Sequence, residues 1–405
     1  MEADGGKAIL GCGVPARLRE AHERGAGGAG CPGGGKEVSA PSRRTGSLLL
    51  LWLLGWGVAT SGVVAAPVPL HVVGNHLEDS AGHRVRLQGV NLPSLEWSEA
   101  GDHLFESLDV AMEGWGARLI RLPLSQDFWA GQARGARSRE AADAYHTRVD
   151  RVVRRAADRG SYVVIDLHWS DGGVWGEHVG QHAMPDDNSL LFWKEAAARY
   201  ANNPAVLFDL YNEPHDVSWE VWRGGGMVQE RNSDPSRGLS LSYHSPGMQA
   251  LLDAVRGTGA RNLVVAGGLN WAYDLRGIVE GHALADPKGQ GVLYATHLYP
   301  WKKDWDVHVT PVIAKYPVFV GEAGTKPWKP GDPPHENVYT ESWAPRVIDY
   351  IEGHQLSWTA WSFHPGASPC LISGWDYTPT PYWGALVKSA LAKPAQGVRP
   401  PPGAR

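Results

Sequence analysis

Val206-Leu207-Phe208-Asp209-Leu210-Tyr211-Asn212-Glu213-Pro214 opens as a strand and closes as a site. Its first six residues are mostly apolar and do not alternate with polar ones, as expected of a strand buried on both faces. The last three are of another kind. An amide, a carboxylate and a proline at the end of such a run carry a desolvation cost unless they meet partners or solvent.

The same grammar recurs on both sides. Val85–Asn91, Leu119–Leu124 and Tyr162–His168 precede this strand; Leu263–Ala266, Val292–His297, Val318–Gly321 and Trp358–Phe363 follow it. Helical patterns fill the gaps. Ala141–Arg159 sets Tyr145, Val149, Val152, Val153 and Ala156 on one stripe before Gly160, and Glu341–Glu352 does so with Val347, Ile348 and Ile351 before Gly353. Eight strand-then-helix units in roughly 320 residues, without a dinucleotide fingerprint, predict an α/β fold, a (β/α)₈ TIM barrel over residues 67–393. Ahead of it, Leu70–Leu77 and Val85–Asn91 flank Asp79-Ser80-Ala81-Gly82, which reads as a β-hairpin.

In such barrels chemistry gathers where strands end. Here the ends read Arg121-Leu122-Pro123, Asp166-Leu167-His168-Trp169, Asn212-Glu213-Pro214, His297-Leu298-Tyr299, Gly321-Glu322-Ala323 and Trp361-Ser362-Phe363-His364. Two of them, on opposite strands, offer carboxylates. Cleaving a glycosidic bond needs a proton on the departing oxygen and electron density behind the anomeric carbon, and two Glu supply both if one stays protonated. Carboxyls roughly 5–5.5 Å apart give retention; a wider gap gives inversion.

Arg121, His168, Asn212-Glu213-Pro214, His297, Tyr299, Glu322 and Trp361 together resemble the functional set of glycoside hydrolase family 5, over about Leu70 to Leu391. The resemblance implies that Glu213 is the general acid/base and Glu322 the nucleophile. It implies that Asn212 holds the sugar 2-hydroxyl and that Arg121 keeps Glu322 in its charged form, since a fixed cation favours the anion beside it. Tyr299 would donate to the same carboxylate, His168 and His297 would line the site, and Trp361 would be the floor under the reacting sugar. It also implies that the N-terminal hairpin closes the barrel floor.

Among 405 residues there are 19 Trp, far above an ordinary composition, and many Trp in loops suggest a groove for flat rings. Trp97, Trp129, Trp175, Trp219, Trp222 and Trp301 are the candidate stacking platforms. His178 and His182 have the i, i+4 spacing of metal ligands, but Gly176 and Gly180 argue for a loop, so no metal is assigned. No cofactor is implied.

The net charge of −5 is modest, with no basic block for nucleic acid. Cys370 is the one thiol in the predicted domain, so the core must hold the fold. Residues 1–47 read as a leader, disordered or untranslated, with a start near Val38 through a non-ATG codon. A GxGxxG at Gly25, Gly27 and Gly30 has no strand before it and carries no weight. Arg43-Arg44, the apolar run from Leu48 and small residues to Ala66 have the order of a secretory signal, placed around 38–65 with its apolar and cleavage region at 48–66. An uncleaved anchor is the rival reading. Residues 394–405 read as a disordered tail.

The sequence therefore predicts a secreted, monomeric endo-β-1,4-glucanase acting on a β-glucan, with no stable membrane association. A β-mannanase, mixed-linkage glucanase or xyloglucanase would use the same site. A non-catalytic carbohydrate-binding protein is the alternative of another class, and the carboxylate pair argues against it.

Overall fold

The computed structural model describes residues 66–177, 179–234, 239–332 and 334–393. The leader, the signal region up to residue 65, His178 and the tail lie outside the described residues.

Eight parallel strands close into a barrel. They are β4 (Gln88–Asn91), β5 (Leu119–Ser125), β6 (Tyr162–Trp169), β7 (Val206–Asp209), β10 (Val264–Gly267), β11 (Val292–Leu298), β12 (Val318–Ala323) and β13 (Ser357–Ala360). They neighbour one another in chain order; β7 pairs with β10, and β13 with β4. The two predicted helices appear as Arg139–Ala157 and Trp343–Gly353, each displaced by one or two residues. Ser138 caps the first by accepting from the Ala141 N–H.

The apolar strands hide a period of two. On β5, Leu119 and Arg121 point inward while Ile120, Leu122 and Leu124 face the helices; β6 repeats this with Tyr162, Val164 and Asp166 against Val163, Ile165 and Leu167. The interior is thus layered. Leu119, Val164, Leu207, Leu293 and Phe319 fill its lower half, and polar side chains fill the upper half.

The floor differs in detail from a single hairpin. The expected arm Leu70–Leu77 breaks at Gly74, whose φ of +58° turns the chain, so β1 (Leu70–Val73) and β2 (His76–Asp79) pair antiparallel. A two-residue β3 (Arg84–Val85) adds to β2 and is separate from β4. Leu70 and Leu77 from this sheet join the lower apolar layer of the barrel. The sequence also holds a second antiparallel pair that was not expected, β8 (Gly226–Asp234) with β9 (Leu239–Ser245), beyond the fourth barrel strand. Among the described residues no helix is long and apolar enough to cross a membrane.

Candidate active site

Strand alternation alone would not bring Glu322 into the barrel. On β12, Val318 and Val320 face the helices, so Glu322 would follow them outward. The β11–β12 register instead passes from Thr296↔Val320 to His297↔Glu322, leaving Gly321 as an extra residue. This bulge re-aims Glu322 into the mouth. A similar shift opposite Ser125 places His168 as the extra residue of β6.

Glu213 and Glu322 meet across the mouth. One carboxylate oxygen from each, with a ring nitrogen of His297, all lie within 4.8 Å of one another. His297 Nδ1 stands 2.9 Å from Glu213 Oε1 and 3.6 Å from Glu322 Oε2. Tyr299 OH donates to Glu322 Oε2 at 2.5 Å, and Arg121 Nη1 donates to Oε1 at 2.9 Å.

Arg121 is wholly buried and donates four hydrogen bonds. Nε donates to Asp209 Oδ2 at 3.0 Å. Nη1 serves Asn91 Oδ1 at 3.0 Å besides Glu322, Nη2 donates to Asn212 Oδ1 at 2.8 Å, and Asp166 Oδ2 stands 3.0 Å from Nη2 as an ion-pair partner. Burial alone would weaken its hold on a proton, but Asp166, Asp209 and Glu322 keep its pKa raised. Asn212, with its oxygen held by Arg121, donates from Nδ2 to Gln181 Oε1 at 2.8 Å and to His168 Nε2 at 3.3 Å.

The environment separates the titratable groups. Burial raises the Glu213 pKa despite the opposing fields of Lys302 and Arg121. Burial, helped by Arg121, pushes His168 and His297 down to about 3, so both imidazoles are neutral. His168 Nδ1 therefore donates to Asp166 Oδ2 at 2.6 Å. Its ring lies parallel to Trp361, 5.5 Å between centroids and 10° between planes.

The structure thus brings together Arg121, His168, Asn212, Glu213, His297, Tyr299, Glu322 and Trp361. The Trp candidates divide. Trp301 stacks on Tyr299 at 4.8 Å and 6°, beside Glu322. Trp97 is half-buried, donates to Asp102 and sits 6.4 Å from Trp169. Trp175 lines a separate hollow of about 860 Å³ between the helices Arg139–Ala157 and Asp187–Arg199. Trp219 packs edge-on to Trp222 and against Gly277. Trp129 and Trp222 are core residues, contrary to expectation. They are 1% and 0% exposed, and their indoles donate to Glu195 and to the Gly267 carbonyl, so neither has a face for a sugar.

Sequence reasoning missed Asn91, Asp166, Asp209, Gln181, His215 and Lys302. Asp166 and Asp209 were detectable as charges inside apolar strands. Lys302, with burial drawing its pKa down to about 8, donates to the carbonyl and side chain of Asn270 at 2.7 and 2.9 Å. That fixes Asn270 and Trp271, both at positive φ, and Trp271 stacks on His215 at 4.4 Å.

Glu213, His297 and Glu322 are also spaced closely enough to grip a cation. Both Glu322 oxygens, however, already take hydrogen bonds, one of them from a buried guanidinium. A further cation beside Arg121 would be repelled. His182, the other metal candidate, is bonded through Nδ1 to Glu230 at 2.9 Å.

A carboxylate pair facing across the open end of a (β/α)₈ barrel, with a fixed arginine and a neutral histidine between them, defines a glycoside hydrolase. Residues 78–367 match the model of the cellulase family, glycosyl hydrolase family 5. The chain belongs to that family. It is 25% identical over 361 residues to an endoglucanase of Paenibacillus polymyxa, covering 78% of this chain and 84% of that one. It is 24% identical to an endoglucanase of Thermobifida fusca, covering 73% of this chain but just over half, 55%, of that one. Among solved structures, a β-glucanase of Saccharophagus degradans in complex with cellotetraose matches with a TM-score of 0.61 at 24% identity, over 81% of this chain and 94% of the other.

Proposed function

We propose that this chain is a retaining, endo-acting β-1,4-glucanase, with Glu213 as acid/base and Glu322 as nucleophile. The observation that carries the reading is the spacing of Glu213 and Glu322, with oxygens within 4.8 Å. Retaining enzymes hold their carboxyls at about 5–5.5 Å, and inverting ones leave about 6.5–9.5 Å for a water.

In the first step Glu213 gives its proton to the glycosidic oxygen while Glu322 attacks the anomeric carbon. The C–O bond to the leaving sugar breaks, and an ester to Glu322 forms. In the second step Glu213 takes a proton from water, whose oxygen attacks the same carbon and releases Glu322. The raised Glu213 pKa suits it to hold the first proton. Arg121 and Tyr299 hold both Glu322 oxygens, so its approach is fixed before substrate binds. Asn212 Nδ2 is the donor for a sugar hydroxyl, and Trp361, parallel to His168, is the stacking surface.

A polysaccharide substrate follows from the family. The choice of a β-1,4-glucan rests on relatives named endoglucanases and on the cellotetraose bound to a structural relative. Secretion belongs to the same proposal, supported by the charged, apolar, small-residue order around residues 38–65, with a monomer free of the membrane after cleavage.

The test is sugar release from carboxymethyl-cellulose, mixed-linkage glucan, xyloglucan and mannan, wild type beside Glu322→Gln, with product anomers followed by NMR. The expected result is a β-anomer released first from a glucan, with loss of at least about 10³-fold in the variant. Inverted anomers, or an equally active variant, would overturn the reading.

A further inference from the structure

Gln181 comes between two pinned residues of the loop that follows β6. On one side Gly180 and Ser170 exchange backbone hydrogen bonds, 3.1 Å each way. On the other, the Tyr211 hydroxyl donates to the His182 carbonyl at 3.0 Å, and Glu230 Oε1 accepts from the Ala183 N–H. The backbone at residue 181 is thereby fixed, which leaves its half-buried side chain as the part able to turn.

The Gln181 amide is oriented by its partners. Nε2 donates to the carbonyls of His182 and Glu213, 3.2 Å to each, so Oε1 is turned to Asn212 and accepts from Nδ2 at 2.8 Å. Asn212 is oriented as firmly, because the guanidinium of Arg121 can only donate and so meets Oδ1. Asn212 Nδ2 also approaches His168 Nε2, an acceptor because Nδ1 of that ring donates to Asp166. Both N–H groups that could hold a sugar hydroxyl are therefore in use. The shorter bond, 2.8 Å against 3.3 Å, goes to Gln181.

Release of Gln181 would orphan nothing. The His182 carbonyl keeps the Tyr211 hydroxyl, and the Glu213 carbonyl keeps His215 Nδ1 at 2.8 Å. The freed amide passes to solvent, and Asn212 Nδ2 is left for an incoming oxygen. Each hydrogen bond given up is replaced, so the exchange costs little.

We propose that Gln181 sets how much the C2 hydroxyl of the reacting sugar counts, because its Oε1 occupies in the resting enzyme the place which that hydroxyl takes in the complex. The inference rests on reading Glu213 and Glu322 as the catalytic pair, with Asn212 as the donor to the sugar. A sugar with the hydroxyl makes Asn212 trade one acceptor for another. Ground-state binding gains little from the trade, and the hydroxyl earns its effect as its bond strengthens toward the transition state. When the hydroxyl is missing, Gln181 stays and keeps Asn212 satisfied.

The experiment crosses two enzymes with two substrates. Wild type and Gln181→Met are assayed on a nitrophenyl β-cellobioside and on its analogue lacking the C2 hydroxyl of the ring that bears the nitrophenyl group. The thioether keeps the length of the side chain but removes the acceptor, so in the variant the analogue strands an Asn212 N–H beneath the sugar. Loss of the hydroxyl is expected to lower kcat/KM by a factor about 5-fold or more larger in Gln181→Met than in wild type. An equal factor in both enzymes, with a melt showing the variant folded, overturns the proposal. A crystal structure of Glu322→Gln with cellotriose tests it without that variant. Gln181 Oε1 is expected to have left Asn212, with a sugar hydroxyl about 3 Å from Nδ2. A sugar seated over Trp361 with the Gln181–Asn212 bond still in place overturns it. Full activity in Glu322→Gln would instead sink the catalytic reading on which the proposal rests.

Discussion

A methyl group on Gly321 would lie 2.8 Å from Nε2 of His297. His297 is fully buried, and that nitrogen has no hydrogen-bond partner, so the ring rests on the glycine. The same glycine is the extra residue that turns Glu322 into the mouth. Gly321→Ala therefore has to move the imidazole that stands between the two carboxylates. We expect kcat to fall about 10- to 100-fold with a small change in KM, because misplacement by a fraction of an ångström is felt in the chemical step. Steady-state kinetics on a soluble glucan, with a melt to show the fold intact, checks this. Unchanged kcat would mean that His297 does not space the carboxylates.

Trp222 and Trp361 should separate stability from catalysis. Trp222 is sealed in the core with its indole donating to the Gly267 carbonyl. Trp222→Ala should cost about 3–5 kcal/mol of stability, as large aromatic deletions do. Trp361→Ala opens the surface parallel to His168, and we expect kcat/KM to drop by at least about 100-fold in a protein that still melts cooperatively. Urea unfolding and kinetics on both variants decide the matter; the reverse pattern would reassign both residues.

How far the sequence could be read depends on which rule placed each residue. Glu213 ends a strand whose apolar run stops in Asn-Glu-Pro, and such a stop is visible locally. The layered interior was less visible, because inward Leu119 and outward Ile120 are equally apolar and only the closed barrel tells them apart. Asp166 and Asp209 broke that pattern and were legible as charges, but their meeting on Arg121 needed the β6–β7 register. Trp129 and Trp222 were misread because composition counts rings and does not say which are covered. Gln181 reaches Asn212 from a loop that has no periodicity to read.

Asp171 should make the protein less stable in alkali. It is 0% exposed, and burial together with Asp186 and Asp127 pushes its carboxyl up to about 9. A folded-state pKa above the unfolded value of about 3.9 means the stability is complete below that value and is lost as pH rises toward 9. Asp171→Asn imitates the protonated acid, so its melting temperature should exceed that of wild type at pH 8 by several degrees and match it near pH 4. Melts across that range measure the difference. A variant that is less stable at both ends would show that Asp171 is needed as an anion.

Metal removal should leave catalysis intact. The one group among the described residues with metal-like spacing is Glu213, His297 and Glu322. A cation there would compete with Arg121 for Glu322 and would favour loss of the proton that Glu213 must hold. Activity is therefore expected to be unchanged after dialysis against a chelator, and added divalent cations should inhibit if they act at all. Manganese, a divalent ion suited to carboxylate and imidazole ligands, is the ion to add back. Loss of more than about 10-fold in kcat on chelation, restored by manganese, would place an ion in the reaction and require a different role for His297.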